Sequence, residues 1–549
     1  MKKYIFLSAA LLLLTASCST NDDNNNEQRE ETQGVRFTIN EEGFGADTEL
    51  TRSEVTAQPQ IIDVGDCEAE ISIENAPAEK QAATRGVTTP VHYTIRAYLS
   101  SGVLKDEIKG TFTPTGFTPD AGYNAYMLLG RNHTYTFICF NDKVTPNGNN
   151  LDVTLANAKD ARIGRQQIAI GTADQTINLS SKHAGCRIQT KILCKKDMPT
   201  AITATFASRG ANVPQTVSYN PSTNTYTATN GSFAPEANNS PASTEAKYTA
   251  SNYGQNYSYT STSTDYHYVL PTTDAKNLQL NFTGGTIFWK PLNSSMPGLS
   301  TASTSLVANG SYTINIKMKP NFTYLMSDGT LGHLKDTTFG GAPAATAKTP
   351  IAVVLDAGLH MAIALKDAMG KADLDWCDSK YSFTKTNTHN VDYLGKAINS
   401  EATSGYDETW DATYTTSAVT GNKVKALNPD FPAFKAAAEY NPGTAYTGSP
   451  ALKWYLPSYN DFKWLYATLG FGDKTAVTQI YTGYDWYYFL LYDAFTQVGG
   501  TKMLGGSSKS YWTSSEGDNM PAFYMIPPQA GWGNSGKGVK LPVRPFVKY

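Results

Sequence analysis

Two clusters of aromatic and polar side chains have the composition of a recognition surface. One is Tyr484, Trp486 and Tyr487, continued by Tyr488; the other is Trp512, Glu516, Asn519, Trp532 and Asn534. Aromatic rings stack on the apolar faces of sugars, while carboxamides and carboxylates fork onto hydroxyl groups. Each cluster also has a structural alternative. Trp512, inside YWTSS at 511–515, suits a core, Arg544 suits an ion pair, and the run at 484–488 suits a buried strand as well as an exposed loop. Catalytic chemistry finds less footing. The seven histidines are scattered, with none in an HExxH arrangement or near a GxSxG elbow. Beyond residue 320 there is a single cysteine, Cys377, and a lone thiol cannot supply a redox pair. The chain is therefore expected to be no enzyme, with no cofactor and no bound metal.

The other cysteines are Cys18, Cys67, Cys139, Cys186 and Cys194, and no pair shows the spacing of a zinc site. The segment 186–194 alternates, placing Cys186, Ile188, Thr190, Ile192 and Cys194 on one face of a strand. Eight steps along a strand cover roughly 26 Å, well beyond the reach of a disulfide. Both are expected to be buried strand thiols.

The elements that must position these residues are mainly strands. The chain has 549 residues, a formal charge of −3 and 17% charged residues, which argues against nucleic acid and anionic membranes as partners. Its 33 tyrosines, with abundant Thr, Ser and Asn, favour β-structure. Strands are expected at 35–39, 92–99, 134–140, 175–179, 186–194, 278–282, 285–289 and 311–318. Helical periodicity is almost absent before Pro320, which suits two antiparallel β-sandwiches. After it, strand 351–355 is extended by a buried segment at 360–368. A helix is expected at 458–469, capped by Ser458 with Asp461 at its third position, and a shorter one at 432–440. The last part is therefore α+β.

At the N-terminus, Lys2 and Lys3 precede an apolar run, 5–14, too short to span a bilayer. Small residues lead to Cys18 and an Asn/Asp-rich stretch. This segment resembles the lipobox of bacterial lipoproteins, in which the cysteine becomes the acylated first residue. The acidic stretch resembles the export tag of surface-exposed lipoproteins of the Bacteroidota.

With these pieces in order, residues 1–320 resemble the Bacteroidota fimbrillin family of pilus subunits. The matching features are Cys18 with its acidic tag, strand 35–39 closed by Thr51 and Arg52, ATRG at 83–86, strands 92–99 and 130–140, and strand 186–194 opening a second sandwich. The remainder resembles the C-type-lectin-like domain fused to some fimbrillins, through YLMSDG at 324–329, TPIAVVLDAG at 349–358, WYLPS at 454–458, YWTSSE at 511–516 and VRP at 543–545. The implied organisation is a lipoprotein signal at 1–17, a tether at 18–34, sandwiches at 35–172 and 173–320, and a lectin-like domain at 321–549. WGN at 532–534 echoes the calcium motif of true C-type lectins but lacks its aspartate, so calcium is not expected.

The resemblance implies an exported outer-membrane lipoprotein precursor whose mature form lies on the cell surface or in a fimbrium. Proteolysis after Arg52 or Arg85 would remove the first strand, and a neighbouring fimbrillin would donate a replacement. A folded domain after the second sandwich suits a tip subunit carrying an adhesive head, with a host, bacterial or glycan ligand. The rival is a free-standing, lipid-anchored glycan-binding lipoprotein that never polymerises; a lipid-retaining pilus anchor is the third reading.

Overall fold

The computed structural model describes residues 31–45, 60–65, 67–76, 87–245, 256–288, 290–300, 302–390, 404–471, 488–503, 510–518, 520–527 and 531–549. Strands dominate, and among these residues the first α-helix begins at Gly405. The mainly β class with few helices is the one that the alternating patterns predict. Among the described residues, no helix is long and apolar enough to cross a membrane.

One compact unit takes residues 31–40, 87–139 and 164–180. Its strands belong to an eight-stranded sheet in the order Gly116–Pro119, Leu104–Thr113, Val91–Tyr98, Thr134–Asn141, Arg162–Ala169, Gln175–His183, Thr32–Glu41 and Met127–Gly130. Period-two alternation turns Val35, Phe37 and Ile39 of the first strand into the core, where they join Tyr93, Ile95, Tyr135 and Phe137. Phe37 meets Phe137 at 5.3 Å between ring centroids, tilted by 60°. Burying each of these three side chains contributes about 1.5–3 kcal/mol.

The second unit takes the other described residues. Its first part centres on strand Cys186–Cys194, in which Cys186, Ile188, Thr190, Ile192 and Cys194 are all buried, as their alternation predicts. That strand runs parallel to Ser311–Pro320, from Arg187 opposite Ser311 to Cys194 opposite Met318. A parallel pair needs a long crossover. Here the intervening chain supplies another sheet, Glu236–Ser240, Ile202–Ser208, Leu278–Gly284 and Ser295–Met296, which shares the core. The far side of Ser311–Pro320 is covered by Cys67–Asn75, antiparallel, with Cys67 opposite Pro320 and Asn75 opposite Tyr312. Thus residues 67–75, inside the 35–172 stretch of the sequence, pair with the strand that closes the 173–320 stretch. The reason is apolar periodicity: Ala69, Ile71 and Ile73 are buried in the same core as Ile314, Ile316 and Met318.

Residues 321–549 build a six-stranded sheet in the order Leu331–Gly332, Tyr324–Met326, Pro350–Asp356, Met361–Ala364, Phe546–Lys548 and Lys453–Tyr455. A three-stranded sheet joins Tyr511–Glu516, Ala522–Ile526 and Gly531–Ser535. Residues 361–364 do not extend the preceding strand. The chain reverses where the Asp356 carboxylate accepts the Leu359 N–H at 2.7 Å and His360 takes φ 51°, and the strand returns antiparallel. The expected helix after Ser458 is shorter than its periodicity suggests: Phe462–Tyr466, then a π-turn at Ala467–Phe471. Its stripe holds, with Phe462, Leu465, Tyr466 and Leu469 buried. Ser458 and Asp461 cap each other reciprocally, Asp461 N–H to Ser458 Oγ at 3.1 Å and Ser458 N–H to Asp461 Oδ2 at 2.7 Å.

Candidate functional site

Three of the sequence-selected ligand residues are buried, which corrects the expectation that they face a ligand. Trp512 is fully enclosed in strand Tyr511–Glu516 and donates its indole N–H to the Leu374 carbonyl at 2.8 Å. Trp532 packs against Tyr459, Phe462 and Tyr466, its ring centroid 3.7 Å from that of Tyr459. Glu516 has no exposed surface: its carboxylate accepts the backbone N–H groups of Thr386 and Asn387 and pairs with the equally buried Lys537. Asn534 alone of the placed candidates is exposed. Tyr484, Trp486, Tyr487 and Asn519 lie outside the described residues, as do Cys18, Arg52 and Arg85.

Glu516 belongs to a larger buried polar network. Glu408, also fully enclosed, accepts the Ser514 hydroxyl, and burial raises its carboxyl well above the usual carboxylate range. Lys425 donates to Thr415 Oγ1 at 3.1 Å and sits over Phe431 and Phe434; burial lowers its ammonium to about 8. With every charge enclosed, this network organises the loops around strand Tyr511–Glu516 rather than meeting a ligand. Among the described residues no cluster of His, Cys, Asp and Glu could hold a metal ion.

A solvent-open concavity lies elsewhere in this region. A cleft of about 810 Å³ is bounded by the turn after Met361–Ala364, the end of helix Pro432–Ala438 and residues 501–502. Asp367 in its lining is ion-paired with buried Arg544, Nε to Oδ1 at 2.6 Å. Arg544 also donates to the carbonyls of Ala364 and Thr501, both at 3.1 Å. Tyr440 and Ala436 form a wall, and Lys366, Lys371 and Lys502 are exposed around the rim.

The turn carrying two of those lysines is strained. Met369, Gly370 and Lys371 take φ values of 49°, 65° and 74°, three left-handed residues in succession. Gly370 adopts this readily, but a side-chain-bearing residue there costs about 1–2 kcal/mol. The run is held at its start by Asp367 and by the Ala368 N–H bonding to Val543 O at 2.9 Å. Met369 is left 69% exposed, although an apolar side chain gains nothing from that position. Sequence inspection passes over this site because its lysines come from separate segments and match no motif.

No family model and no curated protein matches the chain. Solved structures align with it at low identity. A fimbrial protein from Bacteroides ovatus is 11% identical, with 95% of this chain and 100% of that one covered and a TM-score of 0.23. A fimbrial protein from Bacteroides vulgatus is 14% identical, covering 53% and 98%, with a TM-score of 0.24. A candidate cell adhesion protein from Bacteroides uniformis is 12% identical, covering 43% and 92%, with a TM-score of 0.27.

Proposed function

We propose that this chain is a pilus subunit and adhesin, exported as a lipoprotein and assembled by strand exchange, with residues 321–549 as an adhesive head at the fibre tip. The observation that carries this reading is the place of strand Thr32–Glu41. It lies between Gln175–His183 and Met127–Gly130 in the sheet order, and Val35, Phe37 and Ile39 fill the core of its unit. Cleavage after Arg52 or Arg85 would remove this strand together with the acylated Cys18. Both flanking strands would lose backbone partners, and three apolar pockets would open. A donor strand with the same alternation from a neighbouring subunit restores both.

Strand Phe546–Lys548 is paired on both sides, with Met361–Ala364 and with Lys453–Tyr455, and is committed to its own sheet rather than free to act as a donor. Mass spectrometry of the native N-terminus, from sheared fibres and from washed outer membranes, tests the reading. A terminus at Ser53 or Gly86 in high-mass fibres is expected. An acylated Cys18 found only in membranes would instead mean a free-standing glycan-binding lipoprotein or an anchor subunit.

A further inference from the structure

We propose that the cleft rimmed by Lys366, Lys371 and Lys502 binds an acidic saccharide, a sugar bearing a carboxylate or sulfate group. The inference rests on the reading of residues 321–549 as an adhesive head and names the chemistry of what that head holds.

Charge is the first argument. The lining carries three ammonium groups and two carboxylates, Asp367 and Glu439. Asp367 is consumed by Arg544 and by the Tyr511 hydroxyl at 3.2 Å, and Glu439 lies 3.7 Å from Lys435. Among the described residues, none of the three rim lysines is ion-paired with a carboxylate. A local positive excess on a chain of net charge −3 is a focused field rather than part of a generally basic surface.

Shape and wall chemistry narrow the ligand class. A cleft of about 810 Å³ is within the range of small-molecule sites and accommodates one or two sugar rings. Tyr440 offers an aromatic wall, held by the Lys366 backbone and by contact with Trp454 at 4.6 Å between centroids. Asn441 turns its side-chain oxygen to the Gly443 N–H at 2.8 Å, which directs its amide hydrogens elsewhere as donors. Thr501 adds a hydroxyl. An aromatic wall, hydroxyl-binding groups and a cationic rim together match a sugar that carries an anion. Three lysines are too few to track a nucleic-acid backbone, and a purely apolar ligand would bury them without compensation. The left-handed run at Met369–Lys371 holds Lys371 on the rim at a conformational cost that packing does not explain.

Purified full-length mature protein, tested by biolayer interferometry on immobilised polygalacturonate, polysialate, chondroitin sulfate and neutral dextran, decides the matter. Binding to at least one acidic polymer, weakened by salt, is expected, and which polymer binds distinguishes uronate, sialate and sulfate. The triple variant K366E/K371E/K502E, altered only at exposed rim positions, should lose about tenfold or more in affinity. The single variant Lys371→Ala, far gentler on the fold, should show a partial loss. Equal binding to dextran, affinity unchanged in both variants, or no binding to any acidic polymer would overturn the proposal. Fibre-borne Ser53 or Gly86 termini without acidic-polymer binding would sink this site and leave the pilus reading standing. An acylated Cys18 retained in membranes, with lysine-dependent binding, would do the reverse.

Discussion

Arg544 and Asp367 meet at 2.6 Å with their side chains only 0% and 5% exposed, an ion pair in a site that water scarcely reaches. The guanidinium donates as well to the Ala364 and Thr501 carbonyls, and its Cζ lies 5.0 Å from the Phe495 ring centroid. Replacing Asp367 by Ala would leave a buried cation without a counter-charge. We expect a loss of about 3–5 kcal/mol in urea denaturation of the intact chain, followed by tryptophan fluorescence. A loss below about 1 kcal/mol, the range of exposed pairs, would show that the pair is solvated in solution.

Asp461 supplies a pH prediction. Burial lifts its carboxyl from 3.8 to about 6, although the Ser458 and Gly405 N–H groups pull in the other direction. A carboxyl raised by folding holds its proton more tightly in the folded state. Its contribution to stability is therefore greatest below about 4 and declines as pH rises to about 6, with little change above. The decline is bounded by about 3 kcal/mol, at about 1.4 kcal/mol per pKa unit. Asp461→Asn keeps an oxygen for the two N–H groups and removes the titration. The difference in stability between this variant and the parent should change across that window, whereas a constant difference would refute the assignment. Glu408 is raised by burial and in part by the Asp461 charge, so the comparison is repeated in a Glu408→Gln background, where that second titration is absent.

Cys67, Cys139, Cys186, Cys194 and Cys377 are all buried, and none is in a disulfide among the described residues. Burial pushes the Cys194 and Cys377 thiols up to about 12 and raises Cys186 as well. Reaction with Ellman's reagent at neutral pH should be negligible in the folded protein and complete for these five after denaturation. Fast labelling of the native chain would mean that a strand opens readily.

Phe37→Ala removes the ring that meets Phe137 and leaves a cavity beneath the first strand. A destabilisation of about 3–5 kcal/mol is expected for the unit that contains it. Thermal unfolding monitored by circular dichroism reads it as a shifted early transition, with residues 321–549 melting as before. If assembly exchanges this strand, fibres already carrying a donor would be indifferent to the same substitution.

Strand Cys186–Cys194 was legible because a single period-two pattern decides both its conformation and its buried face. The stretch at 511–516 shows where such legibility ends. YWTSSE mixes core-like aromatics with residues that could equally meet a ligand, and all six are buried. Thr513 donates to the Phe523 carbonyl at 2.9 Å, Ser515 accepts the Tyr459 N–H at 2.9 Å, and Glu516 finds Lys537. Residue type cannot tell a satisfied buried hydroxyl from a solvated one, so Trp512, Glu516 and Trp532 pass for ligand contacts. The pairing of 67–75 with 311–320 was hidden for another reason: apolar alternation identifies a strand but not its partner.

That pairing has a consequence for how the protein is made. Strand Ser311–Pro320 sits between Cys186–Cys194 and Cys67–Asn75, so neither can be joined to the other until residue 320 has been delivered. A chain made from its N-terminus carries residues 67–75 through the whole interval with only strand Gln60–Asp63 beside them among the described residues, and contacts of such separation form slowly. Delay of this kind leaves one edge of an apolar strand open to the wrong neighbour until its own arrives.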